Sequence, residues 1–205
     1  MARKEEAVWD RFSKIYDHFI KKDQTAYSEI IERTARLLDP EDRVLEVACG
    51  TGIISLGLAE RIKNIEGIDF APEMVAIAQK KAERAGVKVR FMVQDACNLQ
   101  YDPDSFDAVI IANTLHIMPE PEKALTEIKR VLKPDGRLIA PTYIHAGNIK
   151  AAIFSRLMSL SGFRAYHKWN WQSYNLFMER NAYEIVDIKL IKASFPLVFM
   201  VAKPK

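Results

Sequence analysis

Val44-Leu45-Glu46-Val47-Ala48-Cys49-Gly50-Thr51-Gly52 is the stretch on which the fold turns. Val44, Leu45 and Val47 form an apolar run too short for a helix, and it ends in a Gly-x-Gly turn. Ile53, Ile54, Leu56, Leu58 and Ala59 then open a helical pattern. A buried strand, a glycine turn and a helix make the first half of a nucleotide-binding βα unit.

Outward from this unit the chain keeps the same alternation. Ile65–Asp69 reads as a strand ending in an acid. Pro72–Ala85 reads as a helix, with proline in its first turn and Gly86 at its C-terminal end. Lys88–Val93 and the almost wholly apolar Phe106–Ala112 are the next strands, separated from a fifth, Arg137–Thr142, by a helix over Pro121–Leu132 and a Lys133-Pro134-Asp135-Gly136 turn. Such spacing predicts a parallel sheet with helices on both faces.

The flanks differ. Residues 5–20 place Trp9, Phe12, Ile15, Tyr16, Phe19 and Ile20 on one helical face, with Arg11, Lys14, His18, Lys21 and Lys22 opposite. Residues 24–38 repeat the pattern until Asp39-Pro40 stops it. Beyond the core, helices are expected over Asn148–Ser161 and Gln172–Asn181, with an aromatic group at 163–171 between them. Tyr183–Ile191 and Leu197–Ala202 are expected to form an antiparallel hairpin.

Length and composition fit a single soluble α/β domain: 205 residues, 49% hydrophobic and 28% charged. A net charge of +3 gives no electrostatic case for nucleic acid as partner. Cys49 and Cys97 lack metal-ligand spacing, so no metal site is expected and both are read as reduced thiols. The charged N-terminus shows no signal peptide, and no apolar run reaches the roughly 18 residues of a membrane span, so a cytoplasmic location is expected.

Two ligands compete for the glycine turn. A dinucleotide site uses Gly-x-Gly-x-x-Gly, but Ser55 stands at the third position and Gly57 is out of register. S-adenosylmethionine lacks a pyrophosphate and must bring its ribose and methionine backbone against the turn. That accounts for small residues at Ala48, Gly50 and Gly52. Asp69 ends the second strand, where a carboxylate can accept from both ribose hydroxyls, and Asp95 ends the third, where an adenine amino group can donate.

Val44–Gly52, Asp69-Phe70-Ala71-Pro72-Glu73-Met74, Asp95-Ala96, Phe106-Asp107-Ala108-Val109 and Arg130–Gly136 together resemble the successive motifs of the class I S-adenosylmethionine-dependent methyltransferases. The likeness is nearest to the small-molecule branch that includes the ubiquinone/menaquinone-biosynthesis and bacterial phospholipid N-methyltransferases. It covers roughly residues 43–142. It implies a Rossmann-like doubly wound seven-stranded sheet, mostly parallel with a reversed last strand, preceded here by N-terminal helices.

The resemblance also implies roles. Glu46 binds the methionine amino end, Gly50 and Gly52 form the cofactor turn beside Ala48, and Asp69 holds the ribose. Phe70 and Met74 pack by the adenine. Asp95 accepts from its amino group and the Ala96 backbone N–H donates to it. Asn113 faces the methionine portion, and Tyr16 resembles a tyrosine that closes over the cofactor. Departures from the family pattern are Glu46, where many members have Asp, and Ala48, where glycine is common.

The expected layout is one domain over 1–205: a helical lid (1–40), a cofactor core (41–142), acceptor-side helices and loop (143–182) and the hairpin (183–205). The expected activity moves a methyl group by in-line displacement to a small apolar or amphipathic acceptor, leaving S-adenosylhomocysteine. His116 and Tyr143 are candidate catalytic residues, with His145 and His167 further candidates on the acceptor side. His116 is also readable as a loop organiser, and the aromatic group at 163–171 reads equally as a lid or as a pin for the loop. Weak contact of helix 5–20 with an anionic membrane is the alternative to its lid role, and it would suit a lipid-amine acceptor. A nicotinamide-dependent oxidoreductase and a non-catalytic module that keeps the cofactor fold are further alternatives; a nucleic-acid methyltransferase is disfavoured, because Ala112-Asn113-Thr114-Leu115 lacks the Asn/Asp-Pro-Pro-aromatic pattern of resembling base amino-methylases.

Overall fold

The structure, a computed structural model, describes Trp9, Ser13, Asp17, residues 20–144 and residues 165–205. Short segments of four to six residues, rich in apolar side chains, become parallel strands β1 (Arg43–Val47), β2 (Asn64–Asp69), β3 (Arg90–Val93) and β4 (Phe106–Ile111). β5 (Leu132–Ile139) is parallel to β4. Helices α1 (Gln24–Ala35), α2 (Ile53–Leu58), α3 (Pro72–Ala85), α4 (Pro121–Val131) and α5 (Trp171–Arg180) flank the sheet. The expected helix over 148–161 lies outside the described residues, as does most of the helix expected over 5–20.

The sheet runs β3-β2-β1-β4-β5-β8, with β8 (Leu197–Pro204) antiparallel to β5 and β7 (Tyr183–Ile191) antiparallel along the other edge of β8. The described residues hold eight strands, not the seven expected. Pro141 accounts for the difference. It has no N–H for the ladder, so the fifth strand breaks after Ile139. The chain then resumes as β6 (Thr142–Tyr143), which pairs with the same strand β8. The expected turn at 133–136 appears as a bulge inside β5: the register jumps from Phe106 opposite Leu132 to Ala108 opposite Arg137.

Period-two alternation gives each face of the sheet its own core. Leu45, Val47, Val109 and Ile111 meet Leu125 and Ile128 of α4 and Tyr174 and Met178 of α5. Val44, Ala108 and Ile110 meet Ile30 of α1, Ile54 and Leu58 of α2 and Ala78 of α3. Glu46, between Leu45 and Val47, therefore points toward α2. Strand order reverses between β1 and β4, since β2 and β3 lie to one side of β1 and β4 and β5 to the other. In open α/β sheets that switch point is where ligands bind, outside the carboxyl ends of the strands.

Candidate cofactor site

After β1 the backbone takes three left-handed residues, Ala48 (φ 54°), Gly50 (φ 53°) and Gly52 (φ 78°). Gly52 is doubly constrained. A Cβ there would sit 2.7 Å from Cζ of Phe91, besides facing a positive φ. The turn is tied to the end of β2. Cys49 N donates to Ile68 O at 2.8 Å, and Gly50 N donates to Asp69 Oδ2 at 2.8 Å.

Asp69 also accepts from Ala71 N through Oδ1 at 3.0 Å, so backbone N–H groups fix both carboxylate oxygens. Asp69 is only 6% exposed. Glu46 is 3% exposed. Its Oε2 accepts from Ser55 N at 2.9 Å and from the Ser55 hydroxyl. Burial pushes its carboxyl up to about 7, against the lowering effect of the Ser55 bonds. Burial, with Glu46 and Asp69 alongside, also raises the Cys49 thiol, so it stays protonated.

Asp95 is exposed and opens a turn, accepting from Cys97 N at 2.8 Å. Ala96 is buried behind it and Met74 is buried in α3, while Phe70 is half-buried. Asn113 follows β4 with φ 54°. Its backbone N donates to Pro141 O at 2.8 Å, and its Nδ2 donates to the Tyr27 hydroxyl at 3.0 Å. Its Oδ1 is buried without a partner. Glu46, the 48–52 turn, Asp69, Asp95 and Asn113 thus lie along the carboxyl ends of four adjacent strands. Tyr16 and His145 lie outside the described residues.

The acceptor-side candidates are already engaged. His116 is buried, and its Nδ1 lies 3.1 Å from Thr142 Oγ1. Tyr143 donates to Asp23 Oδ2 at 2.7 Å, and burial raises its hydroxyl far above the ordinary tyrosine value. His167 stacks on Trp169 with ring centroids 5.1 Å apart, and its backbone N–H donates to the backbone O of His116 at 3.0 Å. Trp169 is buried against Tyr174 and Phe177, so this part of the aromatic group pins residues 165–170 to α5.

Contacts that no sequence pattern marked join the set. Thr51 Oγ1 donates to Asp17 Oδ1 at 2.6 Å and accepts from Lys81 Nζ at 2.9 Å, and Lys81 pairs with Asp17 Oδ2 at 2.6 Å. Ser55 had marked only the place where a third glycine is missing; its hydroxyl serves Glu46. Gly57, out of dinucleotide register, has another use. A Cβ there would lie 2.6 Å from Cδ1 of Ile31, so it lets α1 approach α2.

The fold and these strand-end residues define a doubly wound α/β protein with a candidate ligand site at its switch point. Residues 45–140 match the methyltransferase domain family. The demethylmenaquinone methyltransferase of Bacillus cytotoxicus is 30% identical over 186 residues, covering 82% of this chain and 78% of that protein. That of Thermus thermophilus is 48% identical over 99 residues, or 47% of this chain, and the chain spans only 45% of that relative. Among solved structures, a putative methyltransferase in complex with the Haloferax volcanii Trm112 activator is similar with a TM-score of 0.78 at 19% identity, over 98% of this chain and 97% of that one. Magnesium protoporphyrin IX methyltransferase from Synechocystis, with bound S-adenosylhomocysteine, is similar with a TM-score of 0.72 at 18% identity, over 90% and 86%. The chain belongs to the class I S-adenosylmethionine-dependent methyltransferases, enzymes whose methyl donor is S-adenosylmethionine. The comparisons support neither a nicotinamide-dependent nor a lipid-amine alternative. No helix among the described residues is long and apolar enough to cross a membrane.

Proposed function

We propose that this enzyme methylates a demethylmenaquinone-like acceptor, taken in its reduced, quinol form. The observation that carries this reading is the likeness to the Bacillus demethylmenaquinone methyltransferase, which extends beyond the cofactor core over 186 residues. The quinol form follows from the chemistry. A sulfonium methyl is an electrophile, and only an electron-rich ring attacks it. In an in-line displacement the methyl–sulfur bond breaks as a ring carbon–methyl bond forms. The ring proton then leaves to restore aromaticity, and S-adenosylhomocysteine departs.

In this reading the donor lies across the strand ends. Asp95 and the Ala96 N–H hold the adenine, packed by Phe70 and Met74. Asp69 holds the ribose hydroxyls, the Ala48–Gly52 turn passes beneath, and Glu46 and Asn113 hold the methionine end. Residues 1–40 close over it, with Tyr16 on the cofactor. His116, braced by Thr142, and Tyr143, held by Asp23, shape the acceptor side, and positioning supplies most of the acceleration.

The test is to incubate the enzyme with S-adenosylmethionine and a short-chain demethylnaphthoquinol under reducing conditions, and to follow the product by mass spectrometry. A mass gain of one methyl group with stoichiometric S-adenosylhomocysteine is expected. Turnover only on phosphatidylethanolamine vesicles, or on neither acceptor, overturns the reading.

A further inference from the structure

Asn113 holds an unusual position. It is a non-glycine residue in the left-handed region, two positions past the end of β4. Such conformations cost about 1 kcal/mol or more and persist where the surroundings enforce them. Two bonds enforce this one. Its N–H is held by Pro141 O, and its side-chain NH2 by the Tyr27 hydroxyl. The second bond decides which way the amide faces. With Nδ2 committed to Tyr27, Oδ1 must point elsewhere, and there it is buried with no hydrogen-bond partner. A carbonyl stripped of water and given nothing in return is a standing cost, and it calls for a missing donor.

The sheet order indicates which donor. Asp69 ends β2, Glu46 lies one residue before the end of β1, and Asp95 and Asn113 stand just past β3 and β4; in the sheet these strands run β3-β2-β1-β4 as consecutive neighbours. Three strand spacings cover about 14 Å, the span of an extended nucleoside–amino-acid conjugate. With the ribose on Asp69 and the adenine toward β3, the end over β1 and β4 is the amino-acid end. Its ammonium is the donor within reach of β4.

We infer that Tyr27 is a positioning residue for cofactor recognition: its hydroxyl orients the Asn113 amide so that Oδ1 accepts from the methionine ammonium. This rests on the methyltransferase reading and adds to it. It gives α1, an element outside the glycine-turn unit, a part in discriminating the amino-acid end of the cofactor.

The experiment compares two ligands by calorimetry. S-adenosylhomocysteine carries the amino-acid end, and 5′-methylthioadenosine lacks it. Tyr27→Phe and Asn113→Ala are each expected to weaken S-adenosylhomocysteine binding roughly tenfold. Binding of methylthioadenosine is expected to stay within about twofold of wild type, which also reports that the variants fold. The double variant is expected to match Asn113→Ala alone, because Tyr27 acts through Asn113. Equal losses for the two ligands, unchanged S-adenosylhomocysteine affinity, or additive losses in the double variant would each overturn the inference. Wild-type protein that binds neither ligand would instead overturn the methyltransferase reading beneath it.

Discussion

Glu46 is the residue where sequence and environment pull hardest against each other. An acid in the middle of an apolar strand is expected either to face a ligand or to be stabilised internally, and here Ser55 stabilises it through two hydrogen bonds. Its carboxyl titrates near 7 in the folded chain, against an ordinary value of 4.5. The sign of the linkage follows. Below the ordinary value the group is protonated in both states. As pH rises through this window the unfolded chain gives up its proton first, so the ligand-free fold loses stability, reaching about 3 kcal/mol above pH 7. Glu46→Gln should remove this dependence. The urea-unfolding free energy of the variant is expected to gain on wild type as pH rises from 4.5 to about 7, and a gap that stays constant across that range would rule the effect out. The places of Glu46, Asp69 and Asp95 at or near the carboxyl ends of their strands were legible because acids beside short apolar runs stand out in the sequence. Tyr27 was not. It was one more member of an amphipathic face, and its hydroxyl acquires meaning only by meeting Asn113, 86 positions away.

At the level of elements, the glycine turn is gripped from the N-terminal side. Trp9, Ser13, Asp17 and Ile20, all helical in backbone, recur at intervals of four, four and three and so share a face. Asp17 on that face bonds Thr51 in the turn and Lys81 of α3, tying three elements together. If residues 1–40 are a lid, this cluster is its latch. The Lys81 and Asp17 side chains are 29% and 42% exposed, which limits the pair to under about 1 kcal/mol. Lys81→Met or Asp17→Asn should therefore speed S-adenosylhomocysteine release about threefold, measured by stopped flow. The difference should narrow in high salt. The charge-swapped double variant should recover part of the loss; a swap no better than the single variants would exclude the latch. Element boundaries were legible where punctuation is chemical: Pro72 and Gly86 bound α3 as expected, and Tyr183–Ile191 emerges as β7 unchanged. The eighth strand was not legible, because whether Pro141 ends a strand or merely interrupts one depends on which neighbour, here β8, continues past it.

Across the whole molecule, two buried tyrosines fasten the C-terminal elements to the core. The Tyr174 hydroxyl donates to Ala140 O and the Tyr183 hydroxyl to Leu125 O, each at 2.9 Å. Tyr183→Phe leaves its ring in place and removes only the bond between β7 and α4. It should cost about 1 kcal/mol, or roughly 2–4 °C in thermal melting for a chain of this size. An unchanged melting temperature would show that the bond adds nothing. The overall architecture was readable because alternating short apolar runs and helical patterns leave few arrangements open. The placement of β8 between β5 and β7 was not legible, since a hairpin alone does not say which of its strands faces inward. That placement matters during synthesis. The strand that closes this side of the sheet is made after the one that ends up outside it. Until residues 197–204 leave the ribosome, the nascent chain carries β5 with a bare, apolar edge open to neighbouring polypeptides. The interval before that strand arrives is when the growing chain is most exposed to misassembly and has most need of a chaperone.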